Sequence, residues 1–204
     1  AYCKAGADEL ALLDITATTL WIAGLPRPPL MQSRVFLGPR GDPPRTYAFA
    51  ARDRIDETVQ RIRSVHDQRY HYIRTDTVGP TFASLNRYKE KCFPIIPLMR
   101  QLFAKGELGG PPAALMAIRG PCEELYDTEA DSHEIRNLVN SQQQEDREAL
   151  VRLRAALDTW IAETGDRGQR FEPPDVVAPF EKEMHDWFGT PQWYSEQTRR
   201  LREK

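Results

Sequence analysis

The run from Glu124 to Leu138 constrains the fold more tightly than any other stretch of the chain. Leu125 and Tyr126 supply strand-forming bulk, and Asp127-Thr128 turns the chain out of that strand. Asp131, followed three residues later by Glu134, has the form of a capping box. In such a box the first side chain accepts from helix-start amides and the second reaches back. Ile135 and Leu138 then share one face of the predicted helix, three residues apart, and Asn137 suits its end. A strand, a polar turn and a helix start are therefore expected in quick succession.

The longest periodic segment follows it. Ser141-x-x-Gln144 offers a second capping box, and Glu145, Asp146 and Glu148 sit where a helix dipole favours acids. Leu150, Leu153, Leu157, Trp160 and Ile161 form an apolar stripe at helical spacing, ended by Gly165. Earlier in the chain, Leu10 to Ala23 reads as a helix stopped by Gly24. Tyr47 to Ala51 reads as a buried strand. Ile62-Arg63-Ser64-Val65 and Tyr70-His71-Tyr72-Ile73 read as a hairpin turning at Asp67-Gln68. Pro94 to Lys105, closed by Gly106, and Pro111 to Ile118 read as helices, the second with Pro at its start. The segment Gly38 to Pro44 is a loop. From Phe171 the chain is Pro-rich and aromatic, and Phe180, Met184, Trp187 and Phe188 are expected to clamp a short helix to the body.

Composition removes several function classes. The 204 residues carry a net charge of -2, so no general attraction to nucleic acid or membrane follows. The 40 % hydrophobic and 28 % charged content is that of an ordinary soluble globular domain. With 16 Pro against 12 Gly, many irregular connections are expected. Cys3, Cys92 and Cys122 make an odd number without CxxC spacing, which argues against a disulfide framework or zinc knuckle. No apolar run has the length of a membrane span. Ala1-Tyr2-Cys3-Lys4 lacks the basic start and apolar stretch of a signal peptide, and reads as the interior of a longer protein.

Three stretches together resemble the sulfatases. Glu124 to Leu138 resembles a signature near the family's C-terminus. Leu13-Asp14-Ile15-Thr16-Ala17-Thr18-Thr19-Leu20, then Ala23-Gly24-Leu25, Pro28 and Met31-Gln32, resembles its late helix, with Ala17 in place of the usual Pro and Ser33 in place of the usual Gly. Tyr47 to Glu57 and Ile62 to Arg74 resemble its C-terminal sheet, most closely in bacterial sulfatases related to heparan N-sulfatase. The resemblance implies an α+β fold, a small antiparallel sheet packed by a long C-terminal helix. A remnant helix of the sulfatase α/β large domain would stand at the N-terminus. Residues 1–44 are then the end of the large domain with a linker, and 45–204 the C-terminal subdomain with its Pro-rich helical tail.

The same resemblance implies an activity that these residues do not complete. Sulfatases use a Cys converted to formylglycine within Cys-x-Pro-Ser-Arg, beside a calcium ion held by Asp and Asn. None of the three cysteines lies in such a motif; Cys92 shares only the Pro two residues on. No catalytic residue, metal ligand or cofactor is therefore assigned within this chain. The expected partners are an N-terminal catalytic portion or a second copy, with a sulfated carbohydrate as the parent's substrate and no nucleic acid. The parent family is often exported to the periplasm or beyond.

Substrate contacts are expected from Arg52, Asp53, Arg54, Asp56 and Glu57, a charged cluster just past the strand at Tyr47 to Ala51. Arg52 and Arg54 would clamp a sulfate or carboxylate, and Asp53, Asp56 and Glu57 would bind sugar hydroxyls. A solvated, salt-bridged loop is the alternative. His66 and His71 flank the hairpin turn without an evident third ligand, which fits ordinary strand histidines. Ser64 and His66 share a strand face, which is no triad. Arg45, Arg52, Arg54, Arg61, Arg63, Arg69 and Arg74, with Tyr47, Tyr70 and Tyr72 between them, have the composition of a nucleic-acid surface, but Asp53, Asp56, Glu57 and Asp67 offset it. Besides a sulfatase portion, two other readings remain: a non-catalytic binding or assembly module, and a small hydrolase built on the remnant.

Overall fold

A computed structural model describes residues 11–39, 41–76, 84–117, 119–168, 170 and 172–194. Its elements run α1 (Asp14–Ile22), β1 (Ala48–Ile55), β2 (Thr58–His66), β3 (Tyr70–Thr75), α2 (Arg87–Cys92), α3 (Ile95–Lys105), α4 (Gly110–Leu115), β4 (Glu123–Asp127), α5 (Gln144–Thr164) and α6 (Pro174–Phe188). The strands form one antiparallel sheet in the order β1-β2-β3-β4, so the fold is α+β as expected. The chain divides into two compact units. The first comprises Ala1–Ala50, Arg63–Ile73 and Glu124–Thr164, and the second Ala51–Ile62, Arg74–Glu123 and Gly165–Lys204.

The first unit is built on α5. Leu150, Leu153 and Leu157 recur at the spacing of one helix face, and all three are buried. They close a core with Val65 of β2, Tyr70 and Tyr72 of β3, Leu125 of β4 and Leu138. Trp160 extends the stripe by stacking on Phe49, with ring centroids 5.2 Å apart. The other side of α5 faces water, as the 66 % exposure of Val151 shows. The turn between β2 and β3 falls at Asp67, as the sequence predicts. Asp67 Oδ1 accepts from the amides of Arg69 (3.0 Å) and Tyr70 (2.7 Å), the bonding that makes aspartate a turn residue.

Neither predicted capping box forms. Ser141 Oγ donates to Asp146 Oδ2 (2.5 Å), while Gln144 Nε2 donates to Glu148 Oε1 (2.6 Å) instead of reaching back. The start of α5 is thus held by an acid in its own first turn. After β4 no helix begins. Asp131 Oδ2 accepts from the amides of Ile135 (2.8 Å) and Arg136 (2.7 Å), four and five residues on, which closes a wide turn. Glu134 adopts a left-handed backbone, φ 53°, which a helix start excludes. Ile135 is 57 % exposed while Leu138 is buried, so the two do not share a face. Asn137 plays a different part from the predicted helix end. Its Oδ1 accepts from the amides of Leu125 and Val139, both at 3.0 Å, and so continues the bonding of β4 with a side chain.

The late-helix resemblance also acquires a physical role. Asp14 is fully buried at the start of α1, accepting from the amides of Ala11 (2.9 Å) and Arg34 (2.7 Å) and pairing with Arg45. Thr18 Oγ1 accepts from the Phe36 amide at 3.2 Å. These two side chains bind the segment 34–36 to α1. Leu12, Leu13, Ile15 and Ile22 remain exposed on and beside this helix.

In the second unit, the β1–β2 turn is made by Asp56, whose φ of 51° is one that aspartate tolerates. Asn86 caps α2, its Oδ1 accepting from the Lys89 amide at 2.9 Å. Gly106 ends α3 in the left-handed conformation expected for it. The clamp predicted for the tail is narrower than expected. Met184 is buried and the Phe188 ring packs edge-on to Tyr88, centroids 5.8 Å apart, but Trp187 is 66 % exposed on the flank of α6. Phe171 lies outside the described residues. Among the described residues no helix is long and apolar enough to cross a membrane.

Because Leu157 is fully buried among residues from three strands and its own helix, Leu157→Ala is expected to destabilise the chain by about 2–5 kcal/mol. Urea unfolding monitored by circular dichroism measures this; a loss within error of zero would contradict the assigned core.

Candidate functional site

The charged cluster stands differently from its prediction. Arg52, Asp53, Arg54 and Ile55 continue β1 as paired strand, and only Asp56 and Glu57 form the turn. Nor is β1 buried: it is a sheet edge, with Arg52 and Arg54 half-buried and Asp53 and Ile55 exposed. That alternation is the two-residue period of a strand, and it puts both arginines on one face.

Three of the five predicted residues are committed to the fold of the second unit. Arg54 Nε donates to Glu172 Oε2 (2.9 Å) and Nη1 to the Asp56 carbonyl (2.6 Å), while its guanidinium lies 3.9 Å from the centroid of the Phe180 ring. Asp56 Oδ2 accepts from Asn86 Nδ2 at 3.0 Å. Glu57 Oε1 accepts from the Arg87 amide (2.9 Å) and from Arg87 Nη1 (3.2 Å), and both side chains are only 4 % exposed. These bonds hold the hairpin end in one shape. Arg52 is half-buried, and burial lowers its guanidinium pKa from the ordinary value. Asp53 faces solvent. The arrangement thus offers a rigid hairpin that carries the exposed Asp53 and the half-buried Arg52.

A second polar constellation occupies the first unit, and no spacing along the chain announces it. Asp127 Oδ1 accepts from the amides of Glu129 and Ala130, both at 3.1 Å, which makes the turn after β4. Its Oδ2 accepts from Arg69 Nε (3.0 Å) and Nη2 (2.8 Å), and Arg69 Nη1 donates to Glu145 on α5 (2.5 Å). Arg69 therefore joins the β2–β3 turn, the end of β4 and the start of α5. Tyr70 Oη donates to Asp146 Oδ1 at 3.2 Å, and its phenol pKa is pushed up to about 12, first by burial. His66 and His71 lie side by side, ring centroids 5.3 Å apart, and His71 Nδ1 is 2.8 Å from Glu134 Oε1. The left-handed turn at Glu134 brings its carboxylate to that position. No local pattern could have announced a partner so far along the chain.

The arginine-rich region does not present an aromatic stacking surface. Tyr70 and Tyr72 are core residues, Arg61 and Arg63 are buried, and Arg45 pairs with Asp14. For the calcium and formylglycine implied by the resemblance, the residues present do not fit. Among the described residues no group of three or more His, Cys, Asp or Glu side chains could hold a metal ion. Cys92 and Cys122 are exposed free thiols outside any Cys-x-Pro-Ser-Arg, and Cys3 lies outside the described residues.

Comparison with known proteins follows the same lines. No family model matches the chain. Over 160 residues it is 33 % identical to an ulvan-active sulfatase of Formosa agariphila, an alignment that takes in 77 % of this chain and 26 % of that protein. Among solved structures, a 2-O GAG sulfatase matches with a TM-score of 0.50 at 17 % identity, over 80 % of this chain and 28 % of that one, a likeness of fold. The chain thus spans about a quarter of the length of these relatives.

Two outcomes test the polar anchors. Glu57→Gln leaves the buried Arg87 guanidinium short of its carboxylate and is expected to cost about 3 kcal/mol, read from the denaturant midpoint; an unchanged midpoint would refute the anchor. The Arg69 bond holds the Asp127 carboxyl below its usual 3.8, and the His71 bond lowers Glu134 in the same sense. A depressed carboxyl stabilises the fold above its unfolded pKa, and that stabilisation is lost as pH falls through the folded pKa. Stability should therefore decline below about pH 4, and less steeply in Arg69→Ala, which starts lower at neutral pH. Parallel pH profiles for the two proteins would contradict the pairing.

Proposed function

Because the chain belongs to the sulfatases, as a portion of their C-terminal region, we propose that it supplies substrate contacts to an enzyme that hydrolyses a sulfate ester or sulfamate of a sugar. The observation that carries this reading is the 33 % identity over 160 residues, which takes in 77 % of the chain. The relative is named for its activity on ulvan, which supports a sulfated polysaccharide as the substrate class.

The division of labour follows from the residues. The reacting aldehyde hydrate and the calcium that the resemblance implies belong to Cys-x-Pro-Ser-Arg and to acids outside these 204 residues. What this chain contributes is the hairpin end. Arg52 and Asp53 point to opposite faces of β1, so Arg52 gives paired N–H donors to an anionic group on one sugar while Asp53 accepts from the hydroxyls of another part of the polysaccharide. Arg54, Asp56 and Glu57 keep both in position through their bonds to Glu172, Asn86 and Arg87. Prior ordering of this kind lowers the entropic cost of binding.

The purified chain, supplied with calcium and an aryl sulfate, is expected to release no sulfate above background; measurable turnover would contradict the proposed division. In a complete enzyme that contains this chain, Arg52→Ala and Asp53→Ala are each expected to lower kcat/KM by about tenfold or more, the loss of one charge-assisted contact. Unchanged kcat/KM in both would remove the hairpin end from the substrate site.

A second reading has its own support. Leu12, Leu13, Ile15 and Ile22 are exposed on and beside α1, apolar area of the kind that assembly covers. On that reading the chain is a non-catalytic assembly module, and light scattering at micromolar concentration returns more than a monomer. A clean monomer would contradict it.

A further inference from the structure

A cleft of about 660 Å³ opens in the first unit, lined by the segment 44–46, the β2–β3 turn and one face of α5. Its size falls within the ~300–1,000 Å³ of small-molecule sites, with room for two sugar rings. Three guanidinium groups, Arg45, Arg69 and Arg152, and three carboxylates, Asp67, Glu145 and Glu148, stand on its walls. Glu145, Glu148 and Arg152 recur at the spacing of one helix face, which brings all three to the same side of α5.

Ion pairs and hydrogen bonds hold these groups still. Arg45 pairs with the buried Asp14, Arg69 Nη1 with Glu145 (2.5 Å), and Arg152 Nη2 with Asp67 (2.5 Å), while Glu148 accepts from Gln144 (2.6 Å). A guanidinium has five N–H donors and a carboxylate about four acceptor positions. The pairs of Arg45, Arg152 and Glu148 consume only part of that capacity. The result is a set of donors and acceptors already paired within the cleft, which reduces the ordering a ligand must impose.

The charge balance selects the ligand. With three positive and three negative groups, the cleft exerts little net pull on a polyanion. Hydroxyl groups gain from both kinds of wall, donating to the carboxylates and accepting from the guanidinium groups. One sulfate or carboxylate on the same sugar adds a charge-assisted bond. We infer that this cleft is a saccharide site that takes a two-ring, hydroxyl-rich segment carrying at most one anionic group. The inference rests on the sugar substrate proposed above and gives it a second point of attachment on the chain.

The test titrates the 204-residue chain by calorimetry with lactose bearing a single sulfate ester, with unsulfated lactose, and with inorganic sulfate. Both disaccharides are expected to bind and inorganic sulfate is not. Glu148→Ala, a solvent-facing change that leaves unfolding unaltered, and Arg152→Ala are each expected to weaken both disaccharides about tenfold. If Arg152→Ala fails to fold, Glu148→Ala alone decides. Inorganic sulfate that binds as well as the sulfated disaccharide would overturn the inference in favour of a simple anion site. Disaccharide binding lost in Arg52→Ala but unchanged in Glu148→Ala would overturn it and leave the proposed function standing. Failure of both disaccharides to bind, beside a complete enzyme that still desulfates sugars, would do the same.

Discussion

Burial of the leucine stripe of α5 against β2, β3 and β4 is the constraint on which the first unit depends. Leu153, Leu157, Val65, Tyr72 and Leu125 are all fully buried, so this is where most apolar area leaves water. The contact fixes the face that each of these strands turns inward, because a one-residue slip would send every core side chain to the other side. It also fixes which residues border the helix at its edges. Arg69, Tyr70 and Asp67 meet Glu145, Asp146 and Arg152 because β3 and α5 are already packed along Tyr70 and Leu150. The polar constellation is thus a consequence of the apolar one.

Polar side chains then do work that regular elements leave undone. Asn137 completes the bonding of Leu125, Asp127 closes the turn after β4, and Asp14 and Thr18 bind the 34–36 segment to α1. Each satisfies backbone amides that would otherwise be costly to bury. These side chains stand in two of the stretches that resemble the sulfatases, the late helix and the Glu124–Leu138 run. What the family signature encodes here is the bonding of irregular backbone.

Elements whose signal is local were legible in the sequence. The leucine spacing of α5, the glycine after α3 and the Asp67 turn each carry their cause within a few residues. The misreadings share a different cause. The acids at Asp131 and Glu134 match a capping box in spacing, but Glu134 is drawn to His71, whose nearness only the folded sheet creates. Ser141 and Gln144 match one too, yet the serine accepts from the Gln143 amide, one residue short of the box, and Gln144 bonds forward to Glu148. Arg52 to Ile55 read as a loop because charge is depleted in strands, and an edge strand tolerates the charge that a central one excludes. Of the predicted contacts, Arg54, Asp56 and Glu57 proved to brace the hairpin through partners 30 to 118 residues away, a role no spacing argument reaches.

Contact between the hairpin end and the substrate decides the role proposed for this chain. A crystal structure of a complete enzyme containing this chain, with a sulfated oligosaccharide bound, measures that directly. Arg52 or Asp53 is expected within about 3.2 Å of a sugar or sulfate oxygen, with the Glu57–Arg87 pair intact behind them. An occupied substrate site with neither side chain near the sugar would contradict it.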